Sequence, residues 1–244
     1  MAHGGNQSGK RILMVAANPS TSSVTGWPVG FWWAELTHPY QVFEEAGYQV
    51  EIRSPGGGAL VPDGYSDPED ESGYSAHDFV SLGFKHSKAH AALLADTASL
   101  DGVEPADYDA IFLVGGQSPM FTFRGNKALQ ALVAAFYEAG RPTGLVCHAT
   151  CVLLETRLSN GDLLVKGKSW TGFANAEEQF ADSFVGQRIQ PFWIESEARD
   201  LPDTHFIVEQ AFRPFAVRDG LLVTGQQQNS GAAAARLLVE ALGR

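Results

Sequence analysis

The chain is poor in cysteine and in charge. Cys147 and Cys151 are its two cysteines among 244 residues. Two such residues, four apart, build no disulfide framework, and their scarcity suits a reducing compartment, so a cytoplasmic setting is expected. Lys and Arg together number 17 against 28 Asp and Glu, a net charge of −11. That deficit of positive charge argues against a polyanionic partner, and nucleic acid is not expected. No apolar run is long enough to span a bilayer, and the first residues lack the apolar core of a signal peptide, so no membrane partner is expected either. Residues 1–9 are small and polar, and read as a disordered leader or a cloning remnant. The rest of the composition, 44% hydrophobic and 18% charged, is that of an ordinary globular chain. Residues 10–244 are expected to form one domain, without internal repeats.

What is present is an alternation of apolar strands and amphipathic helices. Lys10–Ala16, Gln49–Ser54, Ala110–Val114 and Thr143–Val146 read as strands. Ala110–Val114 is wholly apolar, as a strand buried on both faces is. Phe31–Ala46, much of Ser75–Leu100, Asn126–Ala139, Asn175–Phe184 and Gly231–Leu242 read as helices. Pro39 removes an N–H inside the first of these, and a kink or restart is expected there. Leu163–Lys166, Ser169–Thr171 and Phe206–Glu209 are short strand candidates, and Ala216–Val217 with Leu221–Thr224 reads as a hairpin. The acidic, Pro-, Gly- and Ser-rich stretch Ala59–Ser75 reads as a solvated loop without chemistry. Strands alternating with helices predict a doubly wound, mostly parallel α/β sheet with a small C-terminal hairpin. Ligands in that architecture sit beyond the carboxyl ends of the strands, where Gly115 and Cys147 fall.

The stretch Gly144-Leu145-Val146-Cys147-His148-Ala149-Thr150 organises the rest. A β-prone run stops at Cys147, and an apolar helical stretch, Ala149–Leu154, follows. A strand–elbow–helix corner lifts its side chain clear of the sheet and surrounds it with backbone N–H donors. The positive helix end favours thiolate, and a neutral Glu35 donating to the sulfur would lower the thiol pKa further. A small buried apolar cysteine is the alternative. His148 is adjacent in sequence and serves as base only if the bend turns its ring back toward the thiol; otherwise it caps the helix. Asn175-Ala176-Glu177-Glu178 matches a capping box with Asn175 at the N-cap and Glu178 at N3, yet a carboxylate fixed at a helix start also suits orientation of an imidazole. Glu35 sits among Trp27, Phe31, Trp32 and Trp33, surroundings that would hold it as a neutral acid. The Gly115-Gly116 turn offers unobstructed N–H groups for an oxyanion. His86 and His90, four apart, have a spacing compatible with zinc, but no third ligand is evident and a solvated helix face is the simpler reading. Gly56-Gly57-Gly58 lacks the Lys-Ser/Thr of a phosphate loop.

Taken together these residues resemble the ThiJ/PfpI superfamily, with its glutamine-amidotransferase-like, flavodoxin-type fold, and within it the glyoxalase III and heat-shock chaperone branch. Ala34-Glu35-Leu36-Thr37-His38-Pro39-Tyr40, Val146-Cys147-His148, Val165 through Phe173 followed by Glu178, and Val223-Thr224-Gly225 with Gln228-Asn229-Ser230 carry the resemblance, which spans roughly Arg11 to Leu242. It implies Cys147 as nucleophile, His148 as base, Glu178 as the group orienting His148, and Glu35 as the acid beside the thiolate. It further implies Gly116 and Gln117 at the oxyanion, Trp32 and Trp170 against the substrate, no cofactor, no metal and a homodimer. One departure stands out: the branch carries Gly-His-Gly after the glycine-bearing strand, whereas this chain has Gly116-Gln117-Ser118-Pro119. A histidine is lost there, and Pro119, Phe121 and Phe123 are expected to stiffen the pocket mouth and make it more apolar.

Two classes of function follow. The first is a cofactor-independent enzyme acting on a small electrophile: a 2-oxoaldehyde such as methylglyoxal, or alternatively an isocyanide or similar unsaturated carbon. The second is a stress-related holdase that binds unfolded chains on apolar surface. A glutaminase is disfavoured, because that chemistry expects a His-x-Glu pair near the C-terminus and the last histidine here, His205, is followed by Phe206-Ile207.

Overall fold

The computed structural model describes residues 9–243. Apart from Gly9, the expected leader lies outside the described residues. The first strand, β1 (Arg11–Val15), leads through two short strands, β2 (Ser20–Thr21) and β3 (Pro28–Val29), into helix α1 (Trp33–Glu45) and back to β4 (Gln49–Arg53). Helices α2 (Phe79–His86) and α3 (Lys88–Ala95) precede β5 (Ala110–Leu113). A single-turn helix, α4 (Pro119–Thr122), and α5 (Lys127–Glu138) connect β5 to β6 (Thr143–Val146). After β6 come β7 (Ser169–Trp170), α6 (Asn175–Val185), α7 (Ile194–Asp200), β8 (His205–Phe206), the hairpin β9 (Ala216–Asp219) and β10 (Leu222–Gly225), and the closing helix α8 (Gly231–Ala241).

The main sheet has the order β4-β1-β5-β6-β10-β9, parallel throughout except for β9. Its centre is dry: Ile12 to Val15 of β1 and all of β5 and β6 are buried, which is why these strands read as continuous apolar runs rather than alternating ones. From β1 the chain crosses to β4 on one side, whereas from β5 it crosses to β6 on the other. Right-handed crossovers running in opposite directions put α1 and α5 on opposite faces. Helix α8 packs beside α1, with Gly231 against the Pro39 ring. The reversal between β1 and β5 opens a crevice beyond their carboxyl ends.

Two expectations are revised. Helix α1 runs through Pro39 without a restart, and the buried proline ring is packed by the start of α8. Leu163–Lys166 forms no strand. Its turns close locally, with Leu164 N donating to Thr156 O and Lys166 N to Leu163 O. The strand β7 exists but pairs with β8 in a separate two-stranded sheet.

Candidate active site

The buried strand β6 delivers the chain to Cys147, which has φ 57°. A side-chain-bearing residue in that left-handed region is strained, and the surrounding structure must enforce it. The next residues, Cys147–Leu154, wind as a 3-10 helix, the helical stretch expected there, with Thr150 Oγ1 donating to Cys147 O at 2.7 Å. That tight turn brings the adjacent imidazole back toward the sulfur. His148 Nδ1 lies 3.6 Å from Cys147 Sγ, and its Nε2 lies 3.0 Å from Glu178 Oε1. The ring is stacked on Phe173 at a centroid distance of 4.2 Å. With Glu178 accepting from Nε2–H, the Nδ1 lone pair faces the thiol.

Glu178 is free for this because its neighbour does the capping. Helix α6 starts one residue earlier than the sequence pattern suggests, with Ala174 at the N-cap and Glu177 at N3. Glu177 Oε2 accepts from Ala174 N at 2.9 Å, while its Oε1 accepts from Phe212 N and Gln226 Nε2. The capping reading of Glu178 is therefore overturned. Burial raises the Glu178 carboxyl, and the facing His148 partly offsets this.

Glu35 enters from the first turn of α1 and is fully buried. Neither carboxyl oxygen reaches an ordinary hydrogen-bond partner. Burial pushes its pKa well above the usual range, against weaker opposing pulls from the Cys147 thiol and the Gly115 backbone. The Cys147 thiol is pushed up as well, by burial first and then by the Glu35 charge, with the His148 N–H opposing. This corrects the expectation of a lowered thiol pKa: here burial outweighs the backbone donors. Burial thus favours the protonated form of both groups, which face each other across the corner.

The opposite wall is the turn after β5. A Cβ at Gly115 would overlap the Glu35 carboxylate and lie 2.6 Å from Val146 O. Gly116 has φ 117°, and a Cβ there would come 2.6 Å from Gly30 O. Both positions therefore require glycine. The Gln117 N–H, expected at the oxyanion, donates instead to Asp63 Oδ2 at 2.7 Å, and Asp63 Oδ1 accepts from Gly30 N at 2.8 Å. Gln117 meets the cavity through its side chain, whose Oε1 is buried without a partner. Asp63 escaped the sequence reading because it stands at the head of a solvated acidic loop. It is nonetheless 2% exposed, and burial raises its pKa to about 7 against the pull of the two N–H donors.

Cys147, His148, Glu35, Glu178, Gln117 and Trp32 all line one cavity of about 80 Å³. Trp170 does not: it is fully buried, packs on Phe206, and donates Nε1–H to Thr204 Oγ1. Pro119, Phe121 and Phe123 do not reach the cavity either, and the apolar lining comes from Phe173, Phe180, Phe184 and Phe212. His86 pairs with Glu69, and His90 bonds Ser87 and meets the Phe84 ring at a tilt of 40°. Among the described residues no three His, Cys, Asp or Glu side chains gather as a metal site.

A strained cysteine at a strand–turn corner, with a histidine and a carboxylate in line behind it, is the candidate site of this α/β fold. The chain belongs to the DJ-1/PfpI family, whose pattern it matches over residues 29–241. It is 25% identical to Glyoxalase 3 of Candida albicans, over 95% of this chain and 98% of that one. It is 27% identical to a probable glutathione-independent glyoxalase of Schizosaccharomyces pombe, covering 87% and 90%. Among solved structures, the Rapid Encystment Protein 24 kDa of Francisella tularensis superposes with a TM-score of 0.84 at 23% identity, over 96% and 100% of the two chains; that likeness concerns the fold. No helix among the described residues is long and apolar enough to cross a membrane.

Proposed function

We propose that this chain is a glutathione-independent glyoxalase, converting a 2-oxoaldehyde and water to a 2-hydroxy acid without a cofactor. The observation that carries this reading is the alignment of Cys147, His148 and Glu178, with the buried carboxyl of Glu35, whose pKa burial raises, beside the sulfur. The curated relatives named as glyoxalases support it. His148 takes the thiol proton, and the thiolate forms a C–S bond to the aldehyde carbon. The aldehyde oxygen takes up a proton from Glu35, giving a hemithioacetal. The Glu35 carboxylate then removes the C1 proton, and the electron pair moves onto the ketone oxygen, which takes the proton held on His148 to give an enediol. Glu35 returns its proton to C2 while the C1 hydroxyl proton passes to His148, leaving a thioester on Cys147. Water adds to it, the C–S bond breaks, and thiolate and 2-hydroxy acid leave. Run backwards, the net reaction eliminates water, which puts it with the hydro-lyases.

In this reading residues 10–244 act as one domain in a reducing, cytoplasmic setting, as a homodimer. The two free buried cysteines agree with such a setting. The test is incubation with methylglyoxal in glutathione-free buffer, with lactate followed by NMR. Lactate is expected from the native protein and none from Cys147→Ala. Absence of lactate, or an absolute need for glutathione, overturns the reading.

A further inference from the structure

The chemistry sits at the bottom of a funnel, and the wall of that funnel is aromatic from base to rim. Trp32, beside Glu35, makes an edge contact with Tyr74 at 6.1 Å. Tyr74 meets Phe184 at 6.2 Å, Phe184 stacks on Phe180 at 6.3 Å, and Phe180 meets Phe212 at 5.0 Å. These rings come from elements far apart in sequence and form one continuous surface. At the rim, Phe180 is 49% and Phe184 57% exposed. Both project from α6, the helix that carries Glu178 in its first turn.

Two further observations bear on what such a funnel accepts. The cavity lined by Cys147 and His148 extends to Phe180, Phe184 and Phe212. A dicarbonyl head at Cys147 therefore places whatever is attached to it against those rings. Among the described residues lining the cavity there is no Lys or Arg, whereas two carboxyl groups, Glu35 and Glu178, are present. An anionic tail would find no counter-charge there, and its desolvation would go uncompensated.

We propose that the site selects uncharged 2-oxoaldehydes bearing an aryl or similarly bulky apolar tail, with the dicarbonyl at Cys147 and the tail laid on Phe180 and Phe184. This rests on the glyoxalase reading and sharpens it to a substrate class. Placing the tail covers ring surface that otherwise faces water, and apolar contacts of this size are worth roughly 10- to 200-fold in discrimination.

The test is kcat/KM for glyoxal, methylglyoxal, phenylglyoxal and 4-carboxyphenylglyoxal, with the native protein and with the double variant Phe180→Ala/Phe184→Ala. Phenylglyoxal is expected to exceed glyoxal by at least about tenfold and its carboxylated analogue by a similar factor. In the double variant, the phenylglyoxal-to-methylglyoxal ratio is expected to fall about tenfold. Phe184→Lys separates charge from shape: it should raise the carboxylated substrate relative to phenylglyoxal. A melting temperature for each variant guards against misfolding, and both side chains are exposed enough for substitution. Glyoxal as the best substrate, or a ratio unmoved by the double variant, overturns this inference and leaves the glyoxalase reading standing. No turnover of any dicarbonyl overturns both.

Discussion

Cys147 and Cys151 lie one turn apart on the same 3-10 helix, and both are buried. Burial pushes both thiols up. Their surroundings differ in kind. Cys151 has ordinary packing, with its thiol donating to Pro119 O at 3.4 Å. Cys147 is held at positive φ between an imidazole, a buried carboxyl and the end of a neighbouring strand. Burial alone therefore does not distinguish a nucleophile from a core residue; strain and the arrangement of polar neighbours do.

The sharpest way to break that contrast is to truncate each cysteine. Cys147→Ala is expected to remove turnover entirely, by at least about 10⁴-fold, because the covalent step is lost. Cys151→Ala should keep its rate and lower stability by about 1 kcal/mol through a small cavity, read as a shift in melting temperature. Comparable activity in the two variants would erase the distinction.

The adjacent glutamates extend the comparison. Glu178→Gln should cut kcat by roughly 10³-fold with little change in melting temperature, since an amide cannot hold the imidazole tautomer as a carboxylate does. Glu177→Gln should do the reverse, costing about 1–3 kcal/mol of stability through its three hydrogen bonds and sparing kcat. Paired kinetic and thermal measurements on both variants check this. If Glu177→Gln slows turnover as much as Glu178→Gln, the division of roles fails.

Two further effects depend on pH. Asp63 has a folded-state pKa of about 7, against an ordinary value near 3.9 in an unfolded chain. The native state therefore binds more protons than the unfolded state between those values, and stability falls as pH rises through that window, by up to about 1.4 kcal/mol per pH unit. Asp63→Asn should flatten that slope in denaturant titrations at pH 4, 5.5 and 7. A slope unchanged by the substitution would place the carboxylate elsewhere. Last, Glu35→Gln removes the ionisable carboxyl whose negative form raises the thiol. The pH midpoint for alkylation of Cys147 by iodoacetamide should drop, that of Cys151 staying put. An upward shift at Cys147 would reverse the sign of the coupling.

Much of this was legible in the chain itself. The apolar runs of β1, β5 and β6 could be nothing but buried strands, and the break at Cys147 marked the corner. The residues that were misplaced share a cause. Asn175 is a better N-cap by type than Ala174, so the capping box was read one residue late; the true start is set by tertiary bonds, Glu195 Oε2 accepting from Asn175 N and Glu177 from Phe212 N. Asp63 was hidden among Asp67, Glu69 and Asp70, because burial of one acid in an acidic loop depends on which distant N–H groups fold over it. The apolar mouth was assigned to Phe121 and Phe123, which follow the glycine turn in sequence, whereas α6 supplies it from sixty residues away. Local pattern shows which side chains are available, and long-range packing decides which of them meet.

Gly115 carries a consequence for how such a protein can change over generations. A side chain there would strike the Val146 carbonyl and Cys147 Cβ, which belong to the backbone corner and cannot swing aside. The inner ring of the site is thus closed to gradual drift, since a first step at 115 would displace Cys147 itself. Phe180 and Phe184 are under no such constraint; they stand on an exposed face with solvent to expand into. Descendants of this chain can trade one substrate tail for another by single substitutions on α6, while the reaction they perform stays fixed.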